Sequence, residues 1–114
     1  LANELPIFRN TFEYVSLLVD YVGIMPKSHR HTIGQKLLNV SLELFEYVQL
    51  ANRAAGDKPK RIRMLEGFLI KFELTKVLVR LCGEKRLFNT KQIGRLSVLI
   101  EAIGKQANGW KNKD

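Results

Sequence analysis

Residues 58–86 have the sequence KPKRIRMLEGFLIKFELTKVLVRLCGEKR, and its apolar residues decide the fold. A helix turns by about 100° per residue, which separates these residues into two groups on its surface. One group contains Leu65, Leu69, Phe72 and Val79. The second group contains Ile70, Leu74, Val77 and Leu81. A surface helix needs only one apolar stripe. A central helix within one fold would explain the second group, but we favour a contact with a neighbouring subunit and predict this group as an oligomer interface.

Charged residues lie between the two apolar groups. Glu73, Lys76 and Arg80 fall on one side of the predicted helix. Because buried charge is costly unless it is paired, we predict that Glu73 pairs with Lys76 and, through it, with Arg80. Such a line of charge is more often a solvated stripe, although in an oligomer it could line a groove.

The rest of the chain also has helical periodicity. Its three prolines, at positions 6, 26 and 59, stand where helices can begin or loops can turn. Apolar residues recur at spacings of three and four, and we place Phe12, Val19 and Leu42 on such wide apolar faces. We predict one domain, residues 1–114, with helices over residues 6–22, 28–55, 59–86 and 89–110. Short connections favour an all-α, antiparallel up-down-up-down four-helix bundle.

Local signals indicate where helices begin and where they approach each other. Asn89 and Gln92 form a capping-box pattern before the fourth helix. Ser28 is a candidate N-cap for the second helix, and Thr32 competes with it. Two glycines in the fourth helix cost helix stability, so we interpret them as points of close helix approach; they are Gly94 and Gly104.

The charge balance indicates a polyanionic partner. The chain has 19 Lys and Arg against 11 Asp and Glu, a formal net charge of +8. This favours nucleic acid as partner over a membrane surface. Phosphate contacts of this kind hold nucleic acid without identifying its sequence. A basic surface that only increases solubility is the alternative. The candidate binding residues are Lys27, Arg30, Lys60, Arg61, Arg63, Lys76, Arg80, Lys85 and Arg86.

Few residues could support catalysis or hold a metal. His29 and His31 lie two positions apart in a basic loop, but metal sites need further ligands and none is near them in sequence. A solvated His pair is the expected state, and these residues are also the only candidate general bases. No nucleophile elbow or phosphate-binding glycine loop is present. We therefore expect no enzyme activity, no metal and no cofactor.

Three further features concern the cellular environment of the protein and the packing of its last residues. The single Cys82 is predicted to be a small buried residue, and one cysteine fits a reducing cytoplasm. We expect no membrane span, because no apolar run reaches about 18 residues, and we find no signal peptide. Trp110 could stack on a base, but a lone Trp near a chain end more often packs against the bundle.

Three segments, in this order and spacing, carry a resemblance to a known family. They are PKSHRHTIGQKLLN (26–39), LTKVLVRL (74–81) and LIEAIGKQANGWKN (99–112). Together they resemble the accessory variability determinant proteins of diversity-generating retroelements. These belong to a wider set of small four-helix-bundle proteins that includes those encoded in ribosomal-RNA intervening sequences.

The resemblance implies an assembly and a set of partners. It implies a barrel-like homopentamer that binds the retroelement's reverse transcriptase, its template RNA and the cDNA, and that supports error-prone copying at adenines without itself being a catalyst. Lys76 and Arg80 match the basic positions that the family uses for the polymerase and nucleic acid. An Arg is commoner at the first position, and Lys lacks its planar bidentate fork. An orphan bundle of a ribosomal-RNA intervening sequence, or a helical scaffold, remains as an alternative.

Overall fold

The computed structural model describes residues 4–114, which form helices and short connections without a strand. The helices are α1 (Pro6–Gly23), α2 (Lys27–His29), α3 (Gln35–Arg53), α4 (Lys58–Glu84) and α5 (Thr90–Lys111). A π-helical turn, Arg30–Gly34, joins α2 to α3, so these two elements form one uninterrupted helical run. The predicted all-α fold with four main helices is confirmed within the described residues. The sequence pattern did not predict the π-turn.

The four long helices pack as a bundle. α1 lies against α3 and α5, and α4 lies against the same two helices from the other side. Lys71 of α4 is 3.4 Å from Glu43 of α3, and the Gly83 position of α4 faces Ile93 of α5. Gly83 is late in α4 and Ile93 is early in α5, while Glu43 and Lys71 lie at similar distances from the α3–α4 connection. Sequential helices joined in this way run antiparallel. The resulting body is elongated, 45 × 23 × 21 Å.

The elongated body has two ends, which carry different connections. We call the upper end residues 24–30 and 85–91, where Tyr21 and Phe88 bring α1 close to the α4–α5 connection with ring centroids 5.7 Å apart. The lower end is residues 53–63 and 110–114, where Lys58 Nζ lies 3.0 Å from Asp114 Oδ1. α1 and α4 both run from the lower end to the upper end.

A buried hydrogen-bond relay crosses the core between α1 and α4. The Tyr14 hydroxyl donates to Thr75 Oγ1 over 3.0 Å, and Thr75 Oγ1 donates to the Phe72 carbonyl over 2.8 Å. Burial raises the pKa of Tyr14 to about 12, although the bond to Thr75 opposes part of that shift. The relay satisfies two hydroxyls that would be costly to bury alone. It also places Tyr14 and Thr75 at the same level along the bundle.

Two glycines permit close helix approach, and neither is one of the two predicted from the sequence. A Cβ on Gly67 would clash with the Tyr47 ring, and one on Gly34 would lie 2.7 Å from Val22. A Cβ on Gly94 would meet nothing within 4 Å, and one on Gly104 would make only ordinary contact with Phe72. The prediction for Gly94 and Gly104 was wrong, because helical position alone does not tell which glycine faces a neighbouring helix.

The helix starts match the predictions only in part. Asn89 and Gln92 form the full capping box at the start of α5, as predicted. Asp57 caps α4 by accepting from the Lys60 amide. The N-cap predictions for Ser28 and Thr32 were wrong. Pro26 occupies the cap without a side-chain bond, and the Thr32 hydroxyl donates to the Ser28 carbonyl one turn back.

Candidate functional site: apolar sides and basic ends

The two apolar groups of α4 have opposite environments. Leu65, Phe72 and Val79 of the first group are buried in the core. In the second group Ile70 is 71% exposed and Val77 is 61% exposed. Leu74 and Leu81 complete this group and are also exposed. We call Ile70, Leu74, Val77 and Leu81 the outer face of α4. It points away from the core, so the predicted interface residues are accessible.

A second exposed apolar surface lies between α1 and α3, and the sequence analysis did not separate it from the core. We call it the α1–α3 groove, a depression of about 280 Å³ lined by Phe12, Val15, Ser16, Val19, Asp20, Leu42 and Phe45. Phe12, Val19 and Leu42 are each at least half exposed. Phe45 packs between Phe8 and Phe12, with ring centroids 5.7 and 6.1 Å away. The predicted apolar faces of these helices were wide, and that width was the signal of a second surface.

Four of the predicted basic residues are at the upper end. Lys27, Lys85 and Arg86 are exposed there, and Lys91, which was not predicted, lies with them. Arg30 is half-buried, and its Nη1 donates over 3.2 Å to the carbonyl of Gly23 at the end of α1. Arg30 therefore completes a helix end. We call the exposed basic residues of this end the upper cluster; they are Lys27, Lys85, Arg86 and Lys91.

One of these residues has an uncommon backbone conformation. Arg86 has φ of 60°, the left-handed region that favours glycine. Its amide donates to the Gly83 carbonyl, and the Leu87 amide donates to the Cys82 carbonyl. This is the Schellman arrangement that ends helices, with an arginine where glycine is usual. The arginine side chain is therefore held at the upper end at some cost in backbone energy.

Three predicted basic residues are at the lower end, but they are not equivalent. Lys60 and Arg63 are exposed. Arg61 is only 4% exposed, and its guanidinium donates to the Lys113 carbonyl. Arg61 thus fastens the end of the chain to α4. Its burial favours this structural role over the predicted phosphate contact.

The two residues that match the family positions lie at neither end. Lys76 and Arg80 border a groove of about 420 Å³ between α4 and α5, lined mainly by Val79, Phe88, Ile93 and Ile100 with Gly83, Glu84, Thr90 and Ser97. Lys76 Nζ is 2.6 Å from Glu73 Oε1, which confirms that predicted pair. Arg80 Nε is instead 3.2 Å from Glu84 Oε1, because Glu84 lies one turn away and Glu73 lies two. Exposed pairs of this kind are worth at most about 1 kcal/mol, so both cations can exchange partners.

The other residues that the sequence analysis considered for binding or chemistry are Trp110, Cys82, His29 and His31. Trp110 is half-buried beside Leu5 and Pro6, as expected for a residue that packs against the bundle. Cys82 is buried, as predicted, and burial raises the pKa of its thiol to about 11. His29 and His31 are both exposed, His29 at the upper end and His31 in the π-helical turn that follows it. Within residues 4–114 no group of three or more His, Cys, Asp or Glu side chains is placed to hold a metal ion.

Of the helices between residues 4 and 114, none combines the length and the apolar character that a membrane span requires.

Comparison with protein families gave a match over nearly the whole chain. The model of the family described as bAvd-like matches residues 7–114, a range that includes nearly all of α1 and every later helix. Comparison with curated proteins and with solved structures found no match.

Proposed function

Because this chain belongs to the bAvd-like family, the accessory variability determinant proteins, we propose that it is an accessory subunit of a diversity-generating retroelement. The family is one of accessory, non-catalytic proteins. In the proposed role the protein binds the reverse transcriptase, its template RNA and the cDNA in the cytoplasm, and supports adenine-targeted mutagenic copying. The match over residues 7–114 is the observation that carries the proposal.

The distribution of positive charge supports contact with nucleic acid. Lys27, Lys85, Arg86 and Lys91 are exposed together at the upper end, and Lys60 and Arg63 are exposed at the lower end. Phosphate groups are attracted to such clusters independently of base sequence, and the attraction weakens with salt. The apolar surfaces lie on the sides of the bundle. A polyanion at an end would therefore not compete with a protein at a side.

We also propose that the protein forms the homopentamer that the family resemblance implies, and its exposed apolar residues support self-association. Ile70 and Val77 are among the most exposed large apolar residues of the described chain, and they belong to one continuous face. Contiguous exposed apolar surface on a small protein marks a contact surface. A ring of five copies would cover this face and repeat each basic cluster five times around its rims.

The test of the role is recovery of partners. The tagged protein is purified from its native cells, and the retained proteins and nucleic acids are identified. We expect a reverse transcriptase and one defined RNA. Recovery of ribosomal RNA or of mixed nucleic acid without a polymerase would reject the retroelement role in favour of an orphan bundle of a ribosomal-RNA intervening sequence.

A charge reversal tests whether the upper end contacts nucleic acid. Lys85→Glu changes an exposed residue of the upper cluster, and Lys105→Glu makes the same charge change on the side of α5. We expect Lys85→Glu to weaken RNA binding at low salt several-fold and to lower the slope of log affinity against log salt by about 1 per copy contacted. Equal losses in both variants would mean that only net charge matters, which would contradict binding at the end.

A further inference from the structure

Ring assembly requires two contact surfaces on each copy, and only one of them was apparent from the sequence. We propose that the outer face of α4 of one copy docks into the α1–α3 groove of the next copy. This inference rests on the proposed self-assembly and adds the second surface and its pairing. The contact is then between unlike surfaces, which is the kind that builds rings larger than a dimer.

The shapes of the two surfaces are complementary. The outer face is a convex ridge whose residues, 70, 74, 77 and 81, follow the four-three-four spacing of a coiled-coil seam. The groove has a floor of Val15 and Phe45, both largely buried, between more exposed apolar walls. A ridge of one helix packed into the groove between two others is the ordinary geometry of helix packing.

The two surfaces also lie at the same level along the bundle. The hydrogen bond from Tyr14 to Thr75 fixes a common level on α1 and α4. At 1.5 Å per residue, Phe12 and Val19 lie about 3 Å below and about 7.5 Å above that level on α1. By the same rise, Ile70 and Val77 lie about 7.5 Å below and about 3 Å above it on α4.

Equal levels favour a closed assembly. Neighbouring copies that dock at one level stand side by side in the same orientation. A difference in level would displace each copy along the axis and produce an open helical filament. The outer face and the groove overlap along most of their lengths, so contact between them adds no such displacement. This arrangement leaves both basic ends uncovered.

Charge supports a second copy as the occupant. Asp20 lines the groove, no lysine or arginine lines it, and Asp20 has no ion pair among residues 4–114. Asp20 lies about 9 Å above the common level, and Arg80 lies about 7.5 Å above it beside the outer face. Arg80 has a side chain that is 81% exposed. A docked copy would therefore bring an arginine to the one charged residue of the groove.

The test uses one aspartate on each surface. Val77→Asp places a charge on the outer face, and Val19→Asp places one in the groove. Val98→Asp is the matched control, because Val98 is a 70% exposed valine of α5 that belongs to neither surface. Light scattering after gel filtration gives the mass of each variant and of mixtures. Circular dichroism reports whether each variant keeps its helices; Val77→Lys and Val19→Lys replace any variant that does not.

The expected pattern is specific to unlike surfaces. The unmodified protein and Val98→Asp assemble, and Val77→Asp and Val19→Asp alone are monomers. An equimolar mixture of Val77→Asp and Val19→Asp forms a complex of twice the monomer mass and nothing larger, since each variant retains one intact surface of opposite kind.

Other results overturn the inference. If Val19→Asp assembles like the unmodified protein while Val77→Asp does not, the groove is not the partner of the outer face. If the mixture stays monomeric, the two surfaces do not recognise each other. A monomeric unmodified protein would contradict the proposed assembly as a whole, and this outcome is distinct from the other two.

Discussion

The two apolar faces of α4 are similar in composition and have opposite environments. Phe72 and Val79 on the inner face contact the core, whereas Ile70 and Val77 on the outer face are mostly exposed. The same helix also carries ion pairs, Lys76 with Glu73 and Arg80 with Glu84, that lie outside the core. The apolar character of both faces indicates that each is a packing surface. The orientation of each face relative to the bundle axis decides whether its partner is the protein's own core or another molecule.

The strongest test of this difference compares truncation on the two faces. Phe72→Ala removes a fully buried ring next to Tyr14 and Phe68, and we expect it to destabilise the fold by about 3–5 kcal/mol. Ile70→Ala should change the stability of the monomer by about 0.5 kcal/mol or less. Urea unfolding measures both, in a Val77→Asp background so that assembly adds nothing. Similar losses for the two variants would show that Ile70 is part of the core.

The outer face could be anticipated from the sequence, whereas the only signal of the α1–α3 groove was the width of the apolar faces of α1 and α3. On α4 a line of charge separates the two apolar groups, and this separation is visible on a helical wheel. On α1 and α3 the apolar residues form one wide face, and a small rotation of either helix decides whether Phe12 or Leu42 is covered. That rotation depends on packing, for example on the contact of Gly34 with Val22 beside the π-turn.

For the basic residues, too, the sequence predicted only part of what the structure shows. The sequence indicated which residues are positive, and most of those at the ends are exposed. It gave no sign that Arg61 would be buried, because its partner is the Lys113 carbonyl, 52 residues away. Charge along a chain therefore does not identify which basic residues are exposed and which are engaged within the fold.

A second prediction concerns the pH dependence of the buried contact between Tyr14 of α1 and Thr75 of α4. The pKa of Tyr14 is raised from 10.0 to about 12 by burial, so the folded state holds a proton that the unfolded state loses. Its contribution is complete below pH 10 and is lost as pH rises toward 12. A shift of this size corresponds to roughly 2–3 kcal/mol.

Tyr14→Phe isolates this contribution. We expect it to cost about 1 kcal/mol at neutral pH through the lost hydrogen bond to Thr75, and to reduce the decline in stability between pH 10 and 12. Both proteins carry Cys82→Ala, because the pKa of that thiol shifts in the same direction. Unfolding curves at several pH values give the slopes. Parallel declines with and without the tyrosine would show that Tyr14 ionises as freely in the folded state as in the unfolded chain.

A third prediction concerns the side of α4 that meets α3. Gly67→Ala forces a methyl group against the Tyr47 ring, and we expect a net loss of about 1–2 kcal/mol after the helical preference of alanine is included. Gly94→Ala in α5 is the matched control, since nothing lies within 4 Å of the new methyl group. It should stabilise by up to about 1 kcal/mol. Thermal unfolding shows whether each substitution raises or lowers stability. A gain at both positions would mean that the Tyr47 ring moves aside at little cost.

The smallest expected effect lies at the upper end of α4, where Arg86 occupies a conformation that suits glycine. Arg86→Gly should stabilise the fold by about 1 kcal/mol, because the left-handed backbone no longer strains a side chain. Lys85→Gly is the control, since Lys85 has an ordinary φ of −83° and glycine there should destabilise. Urea unfolding distinguishes the two.

The same Arg86→Gly protein should bind RNA more weakly if the upper end contacts phosphate, so stability and binding would change in opposite directions. A gain in stability with unchanged RNA binding would mean that Arg86 contributes neither to the stability of the fold nor to RNA binding.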